Sequence, residues 1–324
     1  MPRSVLLALA LLMVGGSAMA APRHAGHFFY VSGIRDPRVR EAVVVDTRPL
    51  AACTSRSLPG ARCLPPREFL GPHHRLASFR DIVWVLGAAG LSGRETVVVA
   101  GDDPVRRDFV AGVLYLAGQS RVAVLAAPLT PLVARGPAGP GRARGMFRNP
   151  VYRGQPRAGL IVLRGELARA LRGPHPPYLL DGRSRASYWG QRIRALRGGH
   201  LPGAQPLPMS ALQLAVAAHA VQLPPVGSAV VYANNAYDSI SYFTLLRAGA
   251  GFAAKVYPGG WVDWADHTGL PVDSETFYER TSHTPDRSPS VAAPVKPRPD
   301  PIAPVVVGLL LAAITGYYLG RKHS

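Results

Sequence analysis

The chain has 324 residues, 48% of them apolar, and its 37 Lys and Arg against 19 Asp and Glu give a formal charge of +18. The apolar share excludes an intrinsically disordered chain, the two cysteines exclude a disulfide-built scaffold or a multi-cysteine zinc protein, and the length predicts two domains. Lys255, Lys296 and Lys322 are the only lysines, and no nucleic-acid-binding motif accompanies the arginines, so no nucleic-acid partner is expected.

In chain order, residues 1–20 carry one early charge at Arg3, an apolar run from Val5 to Val14, and Ala18-Met19-Ala20. This pattern predicts a cleavable secretory signal peptide. The first half, 21–135, holds a buried-strand pattern, Val43-Val44-Val45, ending in Asp46-Thr47-Arg48, and then Leu58-Pro59-Gly60-Ala61. A β-branched run from Thr96 to Ala100 predicts a strand of a parallel sheet. Val105, Phe109, Val110, Val113, Leu114 and Ala117 recur at helical spacing, and Val122–Leu125 reads as a further strand. His24 and His27 could bind copper or nickel only if cleavage fell after Ala21, His73 and His74 lack a second ligand pair at metal-binding spacing, and no metal or cofactor is expected. Residues 136–159, rich in Gly, Pro and Arg, read as a linker.

The second half, 160–279, repeats the order of elements. Tyr178-Leu179-Leu180-Asp181-Gly182-Arg183 is followed by Gly199-His200-Leu201-Pro202-Gly203-Ala204, then by a strand pattern at Ala229–Tyr232. Ile240, Phe243, Leu246 and Arg247 suggest a helix that Gly249 and Gly251 stop. A last strand is expected at Lys255–Tyr257. Strands alternating with helices in both halves predict an α/β fold, each domain a parallel sheet flanked by helices.

A Pro-rich linker at 280–301 leads to an uncharged apolar stretch, Ile302 to Leu319, which at 1.5 Å per residue reaches about 27 Å and predicts a single transmembrane helix. Tyr317 and Tyr318 suit a membrane interface, and Arg321 and Lys322 in the tail 320–324 predict its cytoplasmic side. Gly308, Ala312 and Gly316 give that helix one smooth face. The expected location is the inner, cytoplasmic membrane, single-pass, with the main domains in the periplasm or another extracytoplasmic space. Cys53 and Cys63 then meet oxidising conditions, and a disulfide is expected over two free thiols. Arginine runs such as Arg142–Arg148 and Arg183–Arg197 read as solvated faces, with anionic lipid as a further contact.

Asp-x-Arg, Gly-His-Leu-Pro-Gly-Ala, and Tyr257-Pro258-Gly259-Gly260-Trp261-Val262-Asp263-Trp264 together resemble the rhodanese (thiosulfate sulfurtransferase) module. The first half is more divergent, with Arg56-Ser57 in place of Gly-His and Ala126-Ala127-Pro128 in place of the Gly-Gly turn. The resemblance implies two tandem rhodanese-like domains over most of 21–279. It also implies a catalytic cysteine after the fourth strand, in a loop Cys-Arg-x-Gly-x-Arg whose amides, helix N-terminus and arginines keep a thiolate ionised. Here that loop reads Ala233-Asn234-Asn235-Ala236-Tyr237-Asp238, and the first half offers Gly101, Asp102 and Asp103. Neither has a thiol, and acids there repel an anionic sulfur donor.

Structural roles are therefore expected for Asp46, Arg48, Asp181, Arg183, His200, Gly259, Gly260 and Trp261, and Ser239 and Ser241 are expected on the helix surface or at its cap. The sequence predicts a membrane-anchored exported protein without sulfurtransferase activity, serving as a binding or assembly module for an envelope protein partner. The alternatives are an active sulfurtransferase using Cys53, Cys63 or a partner's cysteine, and an anion binder using the loop amides of Ala233–Asp238.

Overall fold

The computed structural model describes residues 26–72, 75–146 and 151–273. The expected signal peptide, His24, His73, His74, the stretches 280–301 and 302–319 and the tail lie outside them. Among the described residues no helix is long and apolar enough to cross a membrane.

Valine-rich runs build the first sheet. Its strands are β1 (Phe28–Val31), β2 (Val43–Asp46), β3 (Arg62–Cys63), β4 (Thr96–Ala100) and β5 (Arg121–Leu125), all parallel in the order β1-β5-β4-β2-β3. Strands covered on both faces carry continuous apolar runs, as β4 and β5 do. The cover comes from α1 (Leu50–Ser55), α2 (Phe79–Ala88), α3 (Pro104–Leu116) and α4 (Leu129–Arg135). The Asp103 carboxylate caps α3 by accepting from the Val105 and Arg106 N–H groups, and Pro104 takes the first position, where no N–H is needed.

The second sheet holds β6 (Leu179–Asp181), β7 (Gln205–Pro206), β8 (Ala229–Tyr232) and β9 (Ala254–Val256), parallel in the order β7-β6-β8-β9. Ile161 adds a parallel bridge to Val256 beyond β9. Around it lie α5 (Arg164–Leu171), α6 (Arg185–Tyr188), α7 (Met209–Ala217), α8 (Ala236–Thr244) and α9 (Gly260–Ala265). A wider π turn, Leu245–Gly249, extends α8, and Gly251 at φ +65° ends the run.

The two sheets share register at their centres. Asp46 pairs with Ala100, and Asp181 with Tyr232. The next N–H, of Thr47 or Gly182, donates to the Ala100 or Tyr232 carbonyl at 2.9 Å in both. Gly101 and Ala233 therefore occupy matching positions directly after β4 and β8.

Helices α3 and α8 join the sheets through one continuous core. A Cβ on Gly112 would stand 2.5 Å from both Ile240 Cγ2 and Thr244 Oγ1, so only glycine lets the helices approach this closely. Phe28 stacks on Tyr115 at 4.3 Å and lies 6.5 Å from Phe243 of α8. The stretch 136–159 connects the sheets, yet it is not free of the first. Ser57 and Gly139 exchange backbone bonds of 2.7 and 3.0 Å, Cys63 N–H donates to Arg142 at 2.9 Å, and Arg153 N–H donates to Ser92 at 2.9 Å. The unpaired edge of β3 needs such partners, a demand that composition does not display.

Candidate functional site

Each half fixes its central strand end with a buried ion pair. Arg183 folds back on Asp181, Nε donating to Oδ1 at 3.0 Å and Nη2 to Oδ2 at 2.6 Å, while Nη2 also donates to the Gly199 carbonyl at 2.8 Å. The Tyr232 hydroxyl donates to Asp181 Oδ2 at 2.6 Å and accepts the Leu201 N–H at 3.1 Å. In the first half Arg48 grips Asp46 and donates to the Arg56 carbonyl at 2.6 Å. Ala100 stands where Tyr232 does and has no hydroxyl, and Ser57 supplies one instead, donating to Asp46 Oδ2 at 2.7 Å. His200 lies flat on Tyr188 at 3.7 Å, its Nδ1 3.1 Å from the Tyr188 carbonyl, and burial lowers its pKa. Trp261 donates through Nε1 to the Arg197 carbonyl at 3.2 Å, with the Arg183 guanidinium 4.5 Å from its ring.

The loop after β8 is tightly held. Ala233, 1% exposed, donates its N–H to Ser239 Oγ at 2.9 Å and accepts the Trp261 N–H at 2.8 Å. The Asn234 carbonyl accepts the Val262 N–H at 2.9 Å. Gly260 has φ +63°, and a Cβ there would stand 2.8 Å from both Ala233 O and Asn235 N. Asn235 caps α8 by accepting the Asp238 N–H at 3.0 Å, and Asn234 Nδ2 donates to Asp238 Oδ2 at 2.8 Å. Burial raises the Asp238 pKa, opposed by the Asn234 hydrogen bond and the Arg194 charge. The Tyr237 ring packs 5.0 Å from Phe109 of α3.

A cavity of about 510 Å³ opens beside this loop, lined by Arg75, Asn235, Ala236, Gly259, Asp263 and Asp266 among others. Asp263 accepts from the Tyr257 hydroxyl at 2.7 Å and from Arg164 at 2.5 Å, and a Cβ on Gly259 would overlap its carboxylate. These groups can hold a polar molecule. None of the cavity-lining side chains named is a thiol or hydroxyl nucleophile.

Ser239 and Ser241 are buried at 0% and 1% exposure, not on the helix surface. Ser239 closes the loop through Ala233, and the Ser241 hydroxyl donates to the Val105 carbonyl of α3 at 2.8 Å, a contact across the two halves that local spacing does not reveal.

In the first half, Asp102 accepts from the Thr130 N–H at 2.7 Å and hydroxyl at 2.6 Å, and Asp103 is the α3 cap. A Cβ on Gly101 would overlap Thr47 Oγ1. Sequence reasoning missed the buried group beside it. Arg107 donates to Asp108 Oδ1 at 3.0 Å and to the Ala126 carbonyl at 3.1 Å, while the Tyr30 hydroxyl donates to Asp108 Oδ2 at 2.7 Å. The available signal was the run Arg106-Arg107-Asp108 at the head of a helix that is apolar from Phe109 onward.

Cys53 and Cys63 form a disulfide, Cα atoms 5.8 Å apart, at 0% and 2% exposure. Gly141 crosses it so closely that a Cβ would lie 2.5 Å from Cys53 Sγ and 2.7 Å from Cys63 Sγ. Among the described residues no three His, Cys, Asp or Glu side chains gather as a metal site.

The family model described as "Rhodanese-like domain" matches residues 163–267, from the start of α5 past α9. Residues 163–267 are a rhodanese-like domain. The crystal structure of a "Probable Thiosulfate Sulfurtransferase" is similar at 27% identity and TM-score 0.54, over 72% of this chain and 97% of that one. YnjE is similar at 20% identity and TM-score 0.57, over 72% of this chain and 62% of its own. EanB, in a complex with ergothioneine, is similar at 16% identity and TM-score 0.58, over 76% of this chain and 65% of its own. The last two likenesses are of fold alone, and this chain covers less than two thirds of either protein. Comparison with curated proteins by sequence gives no match. The rhodanese-like domain contains the second clamp, the 233–238 loop and most of the cavity lining.

Proposed function

We propose that this protein is a tandem rhodanese-like module without cysteine-based sulfur transfer, held at the outer face of the cytoplasmic membrane by residues 302–319 and binding an envelope protein partner. One observation supports the loss of chemistry above others. Ala233 follows the central strand of the rhodanese-like domain at the position where the resemblance expects a cysteine, and its backbone is bonded to Ser239 and Trp261. Gly101 takes the matching place after β4, and a side chain there would overlap Thr47. A persulfide needs a thiolate, and both cysteines are spent in a buried disulfide. The preserved clamp and loop geometry favour binding over turnover, with the cavity beside Asn235 and Asp266 as the place for a polar group of the partner.

Mass spectrometry of the native chain incubated with thiosulfate tests the reading. The expected mass is that of the disulfide form with no added sulfur. A gain of one sulfur on Cys53 or Cys63 would replace it with the active sulfurtransferase.

A further inference from the structure

We infer that the loop Gly190–Gly198 of the rhodanese-like domain is a docking surface for an anionic lipid bilayer. The inference rests on the membrane-anchored reading above for the nearness of a bilayer, and on the loop itself for the contact.

The loop is closed and rigidly based. A Cβ on Gly198 would stand 3.0 Å from Gly190 Cα, so its two ends touch, and Gly190 turns at φ +73°. The Arg197 guanidinium donates to the carbonyls of Ala265 at 3.1 Å, His267 at 2.7 Å and Leu270 at 2.9 Å, fixing the loop to the end of α9. On this base Ile193 and Leu196 stand 60% and 73% exposed. Arg192 and Arg194 are exposed beside them, and among the described residues neither forms an ion pair. The Arg194 charge acts on Asp238, whose carboxylate accepts from Asn234 Nδ2 at 2.8 Å.

Charge complementarity selects the occupant. Residues 182–237 contain no Asp or Glu, and this loop is the part of them that alternates arginine with exposed aliphatic side chains. Aliphatic tips suit the acyl boundary and guanidinium groups suit lipid phosphates. Asp273, which precedes the apolar 302–319 stretch in sequence, exchanges backbone bonds of 2.8 and 3.0 Å with His200, two residues beyond Gly198.

The test uses the full chain with phosphatidylcholine vesicles, with and without phosphatidylglycerol, followed by sedimentation and by hydrogen exchange of the 190–198 amides. The expected result is binding to both vesicle types, with slower exchange of the loop only where phosphatidylglycerol is present. Arg192→Glu with Arg194→Glu removes that protection, by about fivefold for each arginine. Ile193→Ser with Leu196→Ser, which leaves the charge intact, must also reduce it. Binding to both vesicle types with identical loop exchange would overturn the docking inference and leave the anchor standing. Loop protection with phosphatidylglycerol, but no binding to phosphatidylcholine alone, would support the docking surface and overturn the anchor.

Discussion

At the residue scale the two halves solve one electrostatic problem with different hydroxyls. Asp181 and Asp46 are both fully buried, and each needs an arginine and one more donor. Tyr232 supplies it from β8 in one sheet, and Ser57 supplies it from the connection between α1 and β3 in the other. Asp181→Ala leaves the Arg183 guanidinium buried without its partner and should cost about 3–5 kcal/mol by urea denaturation. Tyr232→Phe should cost about 1–3 kcal/mol, because Asp181 loses a donor and the Leu201 N–H an acceptor. Asp238 has a pH signature. Its pKa is raised in the folded state, so the stability it contributes is full below the ordinary carboxylate value and is lost as pH rises through the elevated one. The stability of Asp238→Asn relative to the native chain should therefore increase from about pH 4 toward neutrality; a difference independent of pH would contradict the burial argument.

Among the elements, the legible ones were those whose patterns are set by burial alone. The valine runs of β2 and β4, the apolar periodicity of α3, and the strands β5, β6 and β8 follow from residues that must leave water on both faces, while β9 alternates buried Ala254 and Val256 with exposed Lys255. The strands β3 and β7, two residues each, have no period to read. β1 is a four-residue Phe-Phe-Tyr-Val run whose partner, β5, lies about ninety residues away. The burial of Ser239 and Ser241 was hidden for a different reason, since it depends on α3 meeting α8. Gly112 is the residue that permits that contact. Gly112→Val should destabilise the chain by about 1–3 kcal/mol through overpacking against Ile240 and Thr244. Calorimetry checks it, and a neutral result would mean that the helices separate without cost. Of the site, the loop residues and the Asp-x-Arg pairs could be read from motifs. The Tyr30–Asp108–Arg107 group and the cavity could not, because they join segments distant in the chain.

The whole molecule is two parallel sheets sharing one core, with the disulfide confined to the first. Replacing Cys53 and Cys63 by serine should remove about 2.5–3 kcal/mol, the chain-entropy value for so short a loop, and leave the second sheet's contacts in place. The rhodanese-like fold by itself does not assign activity, since function lies in the site grafted onto it. The loop after β8 has the backbone closure of an ordered site and no group that can accept sulfur. The most direct measurement is cyanide-dependent thiosulfate cleavage by the purified full chain, beside the double serine variant of Cys53 and Cys63. The account predicts no thiocyanate above the uncatalysed background from either protein. Turnover by either protein would contradict it, with its loss in the serine variant assigning the chemistry to Cys53 or Cys63.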